Sequence, residues 1–142
     1  SDFERSMFNH TYDNYINLES FASWLLTHDI LGTYDAGGSN LFLTWYDNNS
    51  TIEMGNIWDL DTSYMVEDSW AVVHEWKGFF FPFMLEDELN TSFAQAFKSK
   101  WDAISPWLFG SMEEWLDAFA SSDDYLAMEK SRLCNREKFG GW

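Results

Sequence analysis

Leu18, Phe21, Ala22, Leu25 and Leu26 recur at helical spacing, which predicts a helix from Leu18 to about Leu31 with a broad apolar face. Asn17 reads as its N-cap, Glu19 as an acid in its first turn, and Gly32 as its stop. The fifteen residues before that helix lack a clear period and read as an irregular lead-in. Beyond it the period changes. Leu41 to Tyr46 reads as a strand, Asp47 to Ser50 as a turn, and Thr51 to Ile57 as a second strand. Leu41, Leu43 and Trp45 alternate with Phe42, Thr44 and Tyr46, so both faces of the first strand carry apolar bulk. A lone hairpin is marginal, so one face is expected to lie against the helices.

Helical spacing returns later in the chain. Phe79, Phe80, Phe83 and Leu85 read as a short inward-packed helix, after a mixed stretch with Trp70, Val72, Val73 and Trp76 as core anchors. Asn90 or Thr91 caps the next helix, with Phe93, Phe97, Trp101 and Ile104 as its stripe and Pro106 as its end. Ser111 and Glu114 form a capping-box signature for a further helix carrying Met112, Trp115, Leu116 and Phe119. Ser121 to Asp124 interrupts it. A last helix, from about Asp124 to Lys138, places Leu126 and Leu133 inward. The fold class is mainly α with one β-hairpin (α+β), a single domain over residues 1–142.

The hairpin gives the polar residues around it a meaning. An antiparallel pair brings the residues before its first strand close to those after its second. Asp35 opens a loop of Ala36, Gly37, Gly38 and Ser39 that ends on Asn40; Trp58 is succeeded by Asp59 and Asp61. These four oxygen-bearing side chains can converge on one pocket suited to a hard cation such as Mg²⁺. On spacing alone, Asp35 and Asn40 read first as turn residues. Asp59 and Asp61 then read as a solvated strand end or an N-cap, and Trp58 as core.

Composition narrows the classes. A formal net charge of −16 leaves no basic cluster for nucleic-acid phosphates or a membrane surface. The longest apolar run, Phe79 to Leu85, is far too short to span a bilayer, and no signal-peptide pattern is visible at the start. Aromatic residues make up 20%, a large area for burial from few side chains. The one cysteine, Cys134, reads as an inert packed thiol. His10, His28 and His74 are too scattered for a zinc site. Ser39 lacks the setting of a nucleophile turn. Asn9-His10-Thr11, Asn48-Asn49-Ser50 and Asn90-Thr91-Ser92 fit the N-glycosylation pattern, a short motif that matters only in a secreted eukaryotic setting.

YINLESFASWLL, the D-A-G-G-S-N loop and the hairpin ending in I-W-D-L-D resemble the CotH (spore coat protein H) kinase family of atypical, protein-kinase-like enzymes. FFFPFMLEDELNTSFAQAFKSKW and the closing SRLCNREKFGGW extend the resemblance over nearly the whole chain. Ile57 stands where the family usually has Pro. The resemblance implies a C-terminal kinase-like lobe and a parent protein that moves phosphate from ATP to Ser or Thr of a surface or coat protein with Mg²⁺. Asp35 would be the catalytic residue; Asn40 and Asp59 would hold Mg²⁺ against the nucleotide phosphates, with Asp61 either a further metal ligand or a support of the loop. It also implies an extracellular, cell-surface or spore-coat setting.

A kinase needs a smaller lobe whose loop covers the phosphates and whose strand carries a Lys. Gly37-Gly38 comes after Asp35 instead, and Lys77, Lys98, Lys100 and Lys130 lie on no convincing strand. The chain therefore reads as the larger lobe alone, its N-terminal lobe a missing partner, and inactive by itself. The alternatives are a non-catalytic pseudokinase-like surface binding or adhesion module and, on paired carboxylates alone, a glycoside hydrolase.

Overall fold

The structure, a computed structural model, describes residues 1–33, 36, 40–48, 50–63, 80–85 and 91–140. In order come α1 (Asp2–Phe8), a 3₁₀ turn (Tyr12–Asn14), α2 (Leu18–Leu31), β1 (Leu43–Thr44), β2 (Glu53–Met54), α3 (Phe81–Leu85), α4 (Ser92–Ala120) and α5 (Asp123–Phe139). The protein is mainly helical with one two-stranded antiparallel hairpin, in register Leu43 opposite Met54 and Thr44 opposite Glu53. It divides into two compact units, Ser1–Asp102 and Ala103–Trp142.

The apolar periodicity of α2 is realised as expected. Phe21, Ala22, Trp24, Leu25 and Leu26 are buried, Asn17 caps the helix, and Gly32 ends it at φ 61°, a left-handed angle that glycine adopts without strain. The lead-in is not irregular. Asp2–Phe8 is helical, with Met7 fully buried, and Tyr12 turns into the core behind it. Two short elements escape a period count because neither completes enough turns to show one.

Aromatic rings build the core of the first unit. Phe81 stacks on Trp24 at 5.7 Å and meets Phe93 at 6.0 Å and Phe21 at 6.3 Å. Helix α3 turns Phe81 and Met84 inward and leaves Phe83 at the surface, so the expected inward set shifts around the helix. Phe79, Trp70, Val72, Val73 and Trp76 lie outside the described residues. Thr91 caps α4: its Oγ1 accepts from the Ala94 amide at 3.0 Å and donates to the Met84 carbonyl at 2.9 Å. A Lys100–Glu19 ion pair of 2.6 Å joins α4 to α2.

Pro106 does not end a helix, and Ser111 with Glu114 starts none: α4 runs unbroken from Ser92 to Ala120. Proline removes only the donor that would reach the Asp102 carbonyl, and the flanking residues keep the helix going. The Trp107 indole donates to the Ala103 carbonyl at 3.1 Å within the same turn. The interruption after Ser121 is real, with Ser122 capping α5 through the Tyr125 amide at 3.1 Å. In the second unit Trp115 stacks on Phe119 at 5.3 Å. Leu126, Leu133 and Cys134 are exposed rather than packed, since α5 carries too few apolar positions for a continuous buried stripe.

Candidate functional site

Two ladders hold the hairpin where the candidate residues flank it. On one side the chain before α2 pairs with the second strand. The Ile52 amide donates to Tyr15 at 2.7 Å, and the Asn17 amide to Ile52 at 2.8 Å, a parallel bridge between Ile16 and Ile52. The Asn17 side chain works twice, accepting from the Ser20 amide at 3.1 Å and donating to Glu53 at 3.0 Å. Ser20 in turn accepts from the Met54 amide at 2.9 Å. Helix α2 and strand β2 are thereby fixed to each other at one point, and Met54 is buried there.

On the other side the two strands close on each other. The Gly55 amide donates to the Phe42 carbonyl at 2.7 Å. A methyl group on Gly55 would stand 2.8 Å from the Phe42 Cβ, so only glycine permits that approach. The Asp47–Ser50 turn forms as the sequence predicts, with the Ser50 hydroxyl donating to the Asp47 carbonyl at 2.9 Å and accepting its amide at 3.0 Å. Past the strands, Phe42 and Trp58 meet edge to face at 6.0 Å. That ring pair places the residue before β1 against the residue before Asp59. Trp58 is not core; it is 54% exposed, its packing coming from Phe42 alone among the ring contacts described.

The candidate side chains differ in setting. Asn40 is buried, at 7% exposure, at the entry to β1. Asp59 and Asp61 are exposed on the segment leaving β2. Asp59 has φ 59°, a left-handed angle that a side-chain-bearing residue adopts at a cost. Asp35 lies outside the described residues. Around it, the Thr33 amide donates to the His28 carbonyl at 3.2 Å and the Ala36 amide to the Thr33 carbonyl at 3.1 Å, and Thr33 and Ala36 are both buried. The His28 ring is in hydrogen-bond contact with the Thr33 hydroxyl.

Among the described residues no three His, Cys, Asp or Glu side chains gather closely enough to hold a metal. A cavity of about 200 Å³ beside β2 is lined by Ser20, Trp24, Met54, Gly55 and Ile57 among others, and not by Asn40, Asp59 or Asp61. Lys98 and Lys100 sit on α4 and Lys130 on α5, so none of these lysines is on a strand.

Asn17 and Gly55 hold the hairpin in place, and no motif marks either for that role. Asn17 is legible as a cap, but its bond to Glu53 spans a separation no local pattern reports. Gly55 carries a usable signal, because an isolated glycine in a strand marks close backbone approach.

Compared with known proteins, the chain matches the family model described as CotH kinase protein over residues 2–112. The match stops short of the closing segment from Ser131. No curated protein and no solved structure matched.

Proposed function

The chain belongs to the CotH kinase family, and we propose that it is the larger lobe of a phosphotransferase whose complete form moves phosphate from ATP to Ser or Thr of a protein. In this reading Asp35 orients the acceptor hydroxyl and takes its proton, while Asn40 and Asp59 supply oxygen donors from the two ends of the hairpin. The donor set suits the group: an amide oxygen and a carboxylate are hard ligands of the kind Mg²⁺ takes alongside nucleotide phosphates. Bound Mg²⁺ would supply charge compensation on those phosphates.

The observation that carries this reading is the backbone of Asp59. A carboxylate held at φ 59° directly after a ring pair that closes the hairpin is strained in a way that exposed strand ends are not. Asp61, with no such angle, supports the loop in this reading. The hairpin ladders fix the strands between Asn40 and Asp59, which supports this reading because phosphoryl transfer asks for positioned ligands. Without a smaller lobe to cover the phosphates, the described residues are expected to be inactive alone.

The experiment is to measure Mg²⁺-dependent ATP binding and autophosphorylation in a chain carrying both lobes, beside its Asp35→Ala and Asp59→Ala variants. Loss of transfer in both, with nucleotide binding weakened in Asp59→Ala, is the expected result. An intact protein that binds no nucleotide, or transfers equally well in both variants, would end the catalytic reading.

A second reading rests on a different observation. Trp45, Tyr46 and Trp58 are 61%, 75% and 54% exposed around the hairpin. Large exposed aromatics mark binding surfaces, so a pseudokinase-like surface module that grips a protein partner is the alternative.

A further inference from the structure

Asn9-His10-Thr11 comes after α1 on a turn of fixed shape. The Asn9 amide closes the helix onto Arg5 at 3.1 Å, the Thr11 amide reaches Ser6 at 2.9 Å, and His10 between them takes φ 54°. All three backbone amides are thus engaged, yet the side chains of Asn9 and Thr11 are not. Asn9 and Thr11 are both exposed, and neither side chain makes a hydrogen bond among the described residues. The other two Asn-x-Ser/Thr triplets differ. The Ser50 hydroxyl is engaged twice by Asp47, and Asn90 lies outside the described residues.

A second observation stands beside the first. The same two side chains line a cavity of about 250 Å³ together with Asp2, Arg5, Asn14 and Tyr15, with the Arg5 guanidinium 3.7 Å from the Asp2 carboxylate. Tyr15 is 39% exposed and is held edge-on by Phe3 at 6.1 Å. Amide, carboxylate and guanidinium groups beside a partly bare ring form a polar pocket with one apolar wall. Such a lining matches a sugar, whose hydroxyls need hydrogen bonds and whose C–H face packs on an aromatic ring.

We propose that Asn9 is the acceptor for an N-linked oligosaccharide and that its first sugar seats in this cavity against Tyr15. The donor is a lipid-pyrophosphate-linked oligosaccharide. A bond forms between Asn9 Nδ2 and C1 of the sugar as the bond from C1 to the pyrophosphate oxygen breaks. The lipid pyrophosphate leaves with that electron pair, and one amide proton passes to the transferase. Nothing in the fold is lost, because the amide consumed has no partner to give up.

The test is to pass the full 142-residue chain through the secretory pathway of a eukaryotic host and map its glycans by mass spectrometry. Amidase release in heavy-oxygen water is expected to leave a labelled Asp at position 9. Asn9→Gln and Thr11→Ala should each abolish that label, while Thr11→Ser retains it in part. A secreted, folded chain with Asn9 unmodified overturns the acceptor site. The seat is read separately, by trimming the glycan to one sugar and comparing melting temperatures with the Asn9→Gln chain. A higher melting temperature that disappears in Tyr15→Ala supports the seat; equal melting temperatures overturn it.

Discussion

The amide of Gly55 lies 2.7 Å from the carbonyl of Phe42, close enough that a side-chain carbon on Gly55 would collide with the Phe42 Cβ at 2.8 Å. The atoms it would also meet are backbone, at 3.1 and 3.3 Å, and cannot swing aside. Gly55→Ala is therefore expected to cost about 1–3 kcal/mol through overpacking. Urea unfolding monitored by tryptophan fluorescence reads the loss. A variant as stable as the parent would mean that the strands separate here at no cost.

Asn17 joins helix initiation to hairpin placement. Asn17→Ala removes a cap worth about 1 kcal/mol and a side-chain bond to Glu53 of similar size. The expected total is about 1–2 kcal/mol. A double-mutant cycle with Glu53→Ala should recover part of it as coupling, because the two share that bond. Additive losses would show that only the cap matters.

Asp59 offers a separation of stability from function. At φ 59° glycine is free of the strain a Cβ brings, so Asp59→Gly is expected to raise the melting temperature while Asp59→Ala does not. If the proposed function holds, both should weaken Mg²⁺-dependent nucleotide binding in a chain carrying both lobes, and Asp61→Ala should weaken it less. Calorimetric melting and titration on one set of variants checks both halves. Stabilisation without loss of binding would remove Asp59 from the metal site.

Tyr12 gives a pH dependence with a defined sign. Burial pushes its phenol above the usual tyrosine range, against the opposing pull of Thr91, Ser92 and the Phe93 backbone. The folded state thus holds the proton more tightly than the unfolded one. Stability is fully present below the ordinary tyrosine pKa, near 10, and is lost as pH rises above it. Tyr12→Phe should flatten that alkaline limb without lowering stability at neutral pH, because the buried hydroxyl has no hydrogen-bond partner among the described residues. The check is a series of urea midpoints from neutral to strongly alkaline pH.

How legible each feature is in the sequence tracks how local its cause is. Helix α2 announces its cap, apolar stripe and glycine stop because all three act within a few turns. The hairpin turn at Asp47 and Ser50 is equally plain. The strands themselves are far shorter than their alternation suggests, Leu43–Thr44 and Glu53–Met54, because pairing depends on partners that a strand's own residues do not specify. Pro106 misleads for the opposite reason: its local cost is real, but one missing donor does not stop a helix whose neighbours hold their bonds. Spacing and resemblance name the candidate site residues. The strain at Asp59 and the squeeze at Gly55 are properties of backbone geometry, visible only once the chain is folded.

Every side chain described as buried belongs to residues before Lys98, and α5 has none. Heat uptake on unfolding scales with apolar surface brought into contact with water, so the calorimetric peak and its heat-capacity step should arise from Ser1–Asp102. The helices of Ala103–Trp142 should fade gradually on warming, visible to far-ultraviolet dichroism yet nearly silent in the calorimeter. The two signals from one sample would then part company, and the difference between them would measure how much helix stands outside the buried cluster of the described residues.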